Sequence, residues 1–358
     1  MSHDSPTAAD DSPIDFSKVP VIDISALVHR GSDSDRLQVA RQLGQACCDV
    51  GFFYVVGHGI PDQLVSRLEE LSRQFFSLPI QEKMEINMAL GGRAWRGYFP
   101  VGDELTSGKP DLKEGLYLGQ ELDDQHPDVL AGTPLHGRNL FPRIEGFRET
   151  VLEYLAAATQ LGHSLMSGMA LSLGLDQDYF NNHYTGDPFV LFRIFNYPCS
   201  KQNSIGLAER ADSIGNNQPR WGVGEHTDYG LITILKQDDS GGLQVKSCSR
   251  WIDAPPITGS FICNIGDMLE RLTRGIYRST PHRVLNLAKR DRISFPVFFD
   301  PNFHSPISPI QALAQLPVAD DRNLRWDHAN VHDFQGTYGD YLLQKVSKVF
   351  PQLTQEVI

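Results

Sequence analysis

Gly224-Glu-His-Thr-Asp-Tyr-Gly-Leu-Ile-Thr-Ile-Leu235 places an imidazole, His226, two residues before a carboxylate, Asp228, and follows both with an apolar run. Side chains alternate between the faces of a strand. Read as a strand, this stretch puts residues 226 and 228 on one side, with Cα atoms about 6–7 Å apart. A neutral imidazole and a carboxylate so placed can grip one divalent metal ion. A third ligand from another strand would complete a facial set of two histidines and one carboxylate. That set leaves three positions open and suits Fe(II) that must bind both a co-substrate and O2. The spacing alone is weak, because His126-Pro127-Asp128 repeats it in a polar segment where proline disfavours a regular strand. That second copy reads as surface.

Two features downstream strengthen the first copy. His282, in Ser279-Thr-Pro-His-Arg-Val-Leu285, opens another apolar stretch. Arg292-Ile-Ser294 follows, again spaced by two and therefore on one strand face. A guanidinium fork and a hydroxyl suit a carboxylate in a closed pocket. Taken singly, His282 could be a hydrogen-bonded core histidine and Arg292 a structural ion-pair partner, but the four elements in this order and spacing favour the metal and carboxylate reading.

The surrounding pattern is mixed α and β. Val19-Pro-Val-Ile-Asp-Ile24 reads as a strand, and a helix follows from about Ser34 with Leu37, Ala40, Leu43 and Cys47 as its apolar stripe. Phe52-Phe-Tyr-Val-Val56 is a second strand, and Pro61 stands as first residue of a helix that buries Leu64, Leu68, Leu71 and Phe75. Residues 91–140 read as loops with a few short strands. A long helix is predicted from about Pro142 to Gly174, with Phe147, Val151, Leu155, Ala158, Leu165 and Met169 inward. From Phe189 the pattern changes to short strands, predicted at 190–195, 231–235, 243–245, 261–265, 282–287 and 292–299, which suggests a sandwich or barrel. A short capped helix starts at Asp267, and a last helix spans about Tyr338–Phe350.

Composition removes several classes. The 358 residues are 41% apolar and 21% charged, as in a globular protein, and no apolar run reaches the ~18 residues of a membrane span. A net charge of −12 argues against nucleic acid or an anionic membrane as partner. The polar, acidic start has no signal-like apolar core. Five cysteines without C-x-x-C point to a reducing, cytoplasmic setting. Dinucleotide-loop, P-loop, H-E-x-x-H and G-x-S-x-G motifs are missing.

The chain resembles the isopenicillin N synthase-like group of Fe(II)/2-oxoglutarate-dependent oxygenases over roughly residues 19–350. Val19–Ile24 and Gly51–Pro61 look like its N-terminal region. Arg96-Gly-Tyr98, Asn196-Tyr-Pro198, His226-Thr-Asp228, Gly241-Gly-Leu-Gln244, Asn264-Ile-Gly-Asp267, His282-Arg-Val284 and Arg292-Ile-Ser294 then follow in the family's order. The resemblance implies a double-stranded β-helix (jelly-roll) core flanked by helices, with an α/β N-terminal region. It divides the chain into a disordered acidic tail (1–13), an N-terminal oxygenase domain (14–140), a long connecting helix (141–188), the catalytic core (189–305) and a C-terminal segment and helix (306–358). It implies that His226, Asp228 and His282 bind Fe(II), and that Arg292 and Ser294, helped by Tyr197 and Asn196, bind 2-oxoglutarate. O2 is then the second co-substrate, ascorbate a candidate stimulant, and succinate and CO2 the products. Tyr197 could instead be a packing aromatic.

Hydroxylation is the commonest outcome in similar enzymes, with desaturation and ring closure also open. Phe298, an even number of residues past Arg292, is a candidate to line the substrate pocket. Arg96, Tyr98, Lys113 and Glu114 fall in loops that cover the site in similar enzymes. Arg96 could meet an acidic substrate or be a solvated surface residue. Two alternatives remain at this level: an oxidase of the same fold that uses no 2-oxoglutarate, and a non-catalytic small-molecule binder. The partner expected is a small molecule. The sequence leaves the oligomeric state open, and a monomer is compatible with it.

Overall fold

Strand and helix signals of the chain assemble into two sheets with helices outside. The computed structural model describes residues 15–349, apart from 107–108, 200–220, 249, 287–289 and 319–329 other than 322 and 328. The expected tail at 1–13 lies outside the described residues, as do Leu287 and Phe350 at the ends of two predicted elements.

The larger sheet has the order β1 (Val21–Asp23), β2 (Phe52–Val56), β12 (Phe261–Ile265), β9 (Ile232–Gln237), β14 (Arg292–Asp300), β7 (Phe189–Tyr197), β6 (Glu114–Gly119) and β3 (Gly97–Phe99). The smaller runs β11 (Trp251–Asp253), β10 (Leu243–Lys246), β13 (His282–Leu285) and β8 (Trp221–His226). A hairpin of β4 (Leu105–Thr106) and β5 (Lys109–Pro110) stands apart. β1 and β2 pair in parallel, and they join the sheet through the antiparallel β2–β12 pairing. The N-terminal strands thus build no sheet of their own. Phe52–Val55 is buried at every position, so β2 needs cover on both faces and finds it inside the large sheet.

Helices cover that sheet. They are α1 (Ser25–Val28), α2 (Asp33–Asp49), α3 (Asp62–Phe76), α4 (Ile80–Met84), α5 (Pro127–Leu130), α6 (Phe147–Ser172), α7 (Asp267–Leu272) and α8 (Tyr338–Val349). The Ser32 hydroxyl caps α2 by accepting from the Asp35 N–H. Ala40, Leu43 and Cys47 are buried as predicted, but Leu37 is 40% exposed, because burial along α2 starts only at Val39. Pro61 is the cap of α3 rather than its first residue, and Leu64, Leu68, Leu71 and Phe75 face the core. The connecting segment 141–188 is helical over Phe147–Ser172, with a single π turn at Asn181–Thr185. The helix starts later than Pro142 because Gly146 takes a left-handed φ of 76° at the cap. Its predicted inward residues are all buried. No helix among the described residues is long and apolar enough to cross a membrane.

One glycine sets how closely α6 lies on the sheet. A Cβ on Gly162 would meet the Phe299 ring at 2.5 Å. Gly162→Ala should therefore destabilise the protein by about 1–3 kcal/mol through overpacking, read as a lowered urea midpoint with unchanged slope.

Candidate active site

Between the sheets lies a cavity of about 440 Å³. His226 ends β8 and His282 begins β13, and the two are register partners in the antiparallel pair. Their rings stand 4.2 Å apart between centroids, and Phe52 packs its edge against His282. Asp228 lies past the end of β8, so residues 224–235 are not one continuous strand as the sequence suggests. The chain turns at 227–231 and resumes in β9. At Gly230 the turn passes so close to the Asp300 carboxylate that no side chain would fit.

Asp228 is clamped rather than aligned by strand alternation. The Thr233 hydroxyl and the Asn264 amide, at 2.7 Å for Asn264, both donate to its Oδ2. Oδ1 remains, 3.8 Å from Nε2 of His226 and 3.8 Å from Nε2 of His282. These gaps are too long for hydrogen bonds, and one metal ion with bonds of about 2 Å would span them. The three ligand atoms lie within 4.8 Å of one another. Nδ1 of His226 lies 2.8 Å from the Gly224 carbonyl and Nδ1 of His282 3.3 Å from that of Thr280, which assigns the proton to Nδ1 and the lone pair to Nε2. Burial lowers both imidazole pKa values; for His282, burial and then the neighbouring His226 bring it to about 4. Burial would raise Asp228, but the two imidazoles, Asn264 and Thr233 more than offset it and hold the carboxyl below its ordinary value. Two neutral imidazoles and one carboxylate are the donors that Fe(II) takes.

Arg292 is 1% exposed. Its Nε donates to the Gly241 carbonyl at 2.7 Å, its Nη2 to Gln237 at 3.4 Å, and its guanidinium lies 4.7 Å over the Tyr197 ring. Its Nη1 is buried with no hydrogen-bond partner among the described residues. Arg292, Ser294, Pro296, Phe298 and Asp300 all line the cavity, so the two-residue period holds along the whole of β14.

Other predicted residues lie elsewhere. Phe195 and Tyr197 line the cavity, so Asn196 points to the back of β7, where its amide donates to Glu114 at 2.8 Å. It is not among the residues that line the cavity, where the resemblance had it help to hold 2-oxoglutarate. Tyr98 also leaves the pocket, its hydroxyl donating to Glu114 at 2.5 Å. Arg96 is neither solvated nor among the residues that line the cavity. It is 2% exposed and donates to the carbonyls of Gln120 and Leu135 and to Asn139 Oδ1. His126 caps α5 and Asp128 meets His304 at 2.6 Å, so the second copy of the motif is structural. Arg193, Glu104, Thr233 and Asp300 also line the cavity without having been singled out in the sequence. Arg193 shares a strand face with Tyr197, a signal that becomes usable only once that face is known.

Family models match both halves of the chain: the "non-haem dioxygenase in morphine synthesis N-terminal" model over residues 19–144 and the "2OG-Fe(II) oxygenase superfamily" model over 188–301. The chain belongs to the 2OG-Fe(II) oxygenase superfamily. A Dictyostelium discoideum protein named "Probable iron/ascorbate oxidoreductase" is 53% identical over 96% of this chain and 98% of the relative. A homoarginine-6-hydroxylase of Oryza sativa subsp. japonica is 37% identical over 93% and 97%. The crystal structure of Neurospora crassa T7H in complex with alpha-KG superposes with a TM-score of 0.72 at 27% identity, covering 95% of this chain and 98% of that one. Like other members of the superfamily, this oxygenase is a non-haem Fe(II)- and 2-oxoglutarate-dependent enzyme on a jelly-roll core.

Two outcomes follow from this geometry. Asn264→Leu should weaken Fe(II) binding about 10–100-fold, measured by metal titration, because Asp228 loses a donor that orients it. Burial pushes Asp300 from the ordinary 3.8 up to about 7, against the pull of the Tyr338 hydroxyl. Between those values the unfolded chain releases a proton that the folded one keeps, so this position costs stability increasingly as pH rises. Asp300→Asn should therefore gain melting temperature relative to the parent between about pH 5 and about pH 8. An unchanging difference would contradict the assignment.

Proposed function

We propose that this oxygenase hydroxylates a carbon centre of a small organic molecule, with His226, Asp228 and His282 holding Fe(II) and with Arg292 and Ser294 holding the distal carboxylate of 2-oxoglutarate. The observation that carries the reading is Arg292 Nη1, a buried donor with no partner among the described residues, on a side chain that lines the same cavity as the three metal-ligand candidates. An unpaired buried N–H is costly, and a carboxylate would satisfy it in the guanidinium plane. The reaction balances as substrate C–H plus 2-oxoglutarate plus O2 giving C–OH, succinate and CO2. Bound iron supplies the activation of O2 that this oxidation needs.

The remaining work falls to this chain. The Nδ1–carbonyl contacts keep each imidazole turned so that Nε2 faces the ion. Thr233 and Asn264 hold Asp228 so that one oxygen is free to bind. The Tyr197 ring supports the flat face of Arg292, which keeps its fork aimed along the cavity. Phe298 lines the substrate end and helps to exclude water. The named site residues all belong to one chain, an arrangement compatible with a monomer. Five cysteines, none in a disulfide, fit a cytoplasmic setting.

The test is succinate release from 2-oxoglutarate across phenolics, amino acids, alkaloids and terpenoid acids, with Fe(II) and ascorbate. L-homoarginine and 1-aminocyclopropane-1-carboxylate head the amino acids, because relatives of 37% and 41% identity carry those names. Arg292→Ala should weaken 2-oxoglutarate binding by about 2–3 kcal/mol in calorimetry on the Mn(II)-loaded protein. Unchanged affinity would remove Arg292 from the role.

A further inference from the structure

A second arginine faces the cavity, on β7. Arg193 lies four residues before Tyr197, about 13 Å along the strand from the Tyr197–Arg292 pair. Its guanidinium packs on two rings, 4.1 Å from the centroid of Tyr117 and 4.9 Å from that of Phe298. A guanidinium that packs on aromatic rings still offers its in-plane N–H groups to a partner at its edge. Its Nε is buried with no hydrogen-bond partner among the described residues, and its ion-pair contact, to Glu104, is a loose 3.5 Å.

Glu104 is already engaged. Lys113 approaches it at 2.8 Å and the Tyr117 hydroxyl donates to it at 2.6 Å. Lys113 in turn meets Asp111 at 2.5 Å. The four groups form a chain of alternating sign, Asp111, Lys113, Glu104 and Arg193, whose last member is a cation at the cavity wall. Other cations at the cavity are differently placed. Lys113 lies between two carboxylates, Lys345 is beside Asp267 at 3.9 Å, and Lys348 is exposed.

We infer that Arg193 is the substrate-binding residue that selects a carboxylate-bearing molecule, by presenting a pre-oriented guanidinium edge at the end of the cavity away from Arg292. A substrate carboxylate would add the next negative charge to the alternating chain and give the guanidinium, whose Nε has no partner among the described residues, an anion to pair with. The two anions are kept apart by geometry, with 2-oxoglutarate at the Arg292 end of β7 and the substrate anion at the Arg193 end. Phe298, whose ring packs against Arg193, would also lie against the carbon skeleton next to that carboxylate.

This inference rests on the 2-oxoglutarate reading above, and the experiment separates the two. The full chain is loaded with Mn(II) and 2-oxoglutarate binding is measured first by calorimetry. With 2-oxoglutarate saturating, the probes are matched acids and primary amides: hexanoate and hexanamide, phenylacetate and phenylacetamide, N-acetyl-leucine and its amide. At least one acid should bind about tenfold or more tightly than its amide. Arg193→Gln should abolish that preference, and Arg193→Lys should restore part of it. Equal binding of acids and amides, no binding of any acid, or an undiminished preference in Arg193→Gln overturns the proposal while leaving the 2-oxoglutarate reading intact. Failure of 2-oxoglutarate itself to bind overturns both. If Arg193→Gln does not fold, the acid–amide comparison on the parent protein decides the question.

Discussion

The site depends on the antiparallel pairing of β8 with β13, which sets His226 opposite His282. A slip of one residue in that register would turn one imidazole out of the cavity, because side chains alternate with a period of two. Pairing alone supplies only two ligands. The third needs the turn after β8, and the turn is held where Asp267 N–H donates to the Asp228 carbonyl and where Thr233 and Asn264 engage Oδ2. Strands from both sheets therefore meet at one carboxylate, and the ion-sized gap exists only while the sheets face each other.

Alternation along the large sheet then sorts the remaining polar residues by function. On β14 and β7 the cavity face carries Arg292, Ser294, Phe298, Arg193 and Tyr197. The back face carries Asn196, which joins Tyr98 and Lys83 around Glu114. Those residues are buried and none of them lines the cavity, yet Asn196 and Glu114 sit beside cavity residues in sequence. Polar groups behind the sheet stabilise the wall and those in front of it are left free to bind. Burial serves both, since a dry interior keeps the imidazoles neutral and strengthens any charge pair formed inside.

Much of this was legible before any fold was known. The strands at 52–56 and 261–265, the inward face of α6, and the order His226, Asp228, His282, Arg292, Ser294 follow from local pattern and from a family likeness that spans the chain. Phe298 was reached by counting in twos from Arg292, and that succeeded because β14 is long and regular. Counting in twos failed at Asp228, where a turn rather than a strand carries the residue. It also could not choose between Asn196 and Tyr197, since alternation says that neighbours diverge without saying which of them faces inward.

What the sequence determined by itself was the class of chemistry, because the ligand types and the order of the motifs that carry the family likeness are properties of the chain alone. Only the tertiary structure decided that Arg96 and Tyr98 belong to the scaffold and that Arg193 belongs to the cavity. Arg96 reaches Leu135 and Asn139 some forty residues on, and Arg193 meets Glu104 from an element some ninety residues earlier. The role of a buried charge is set by whichever groups end up around it, and in this chain those groups come from segments remote in sequence.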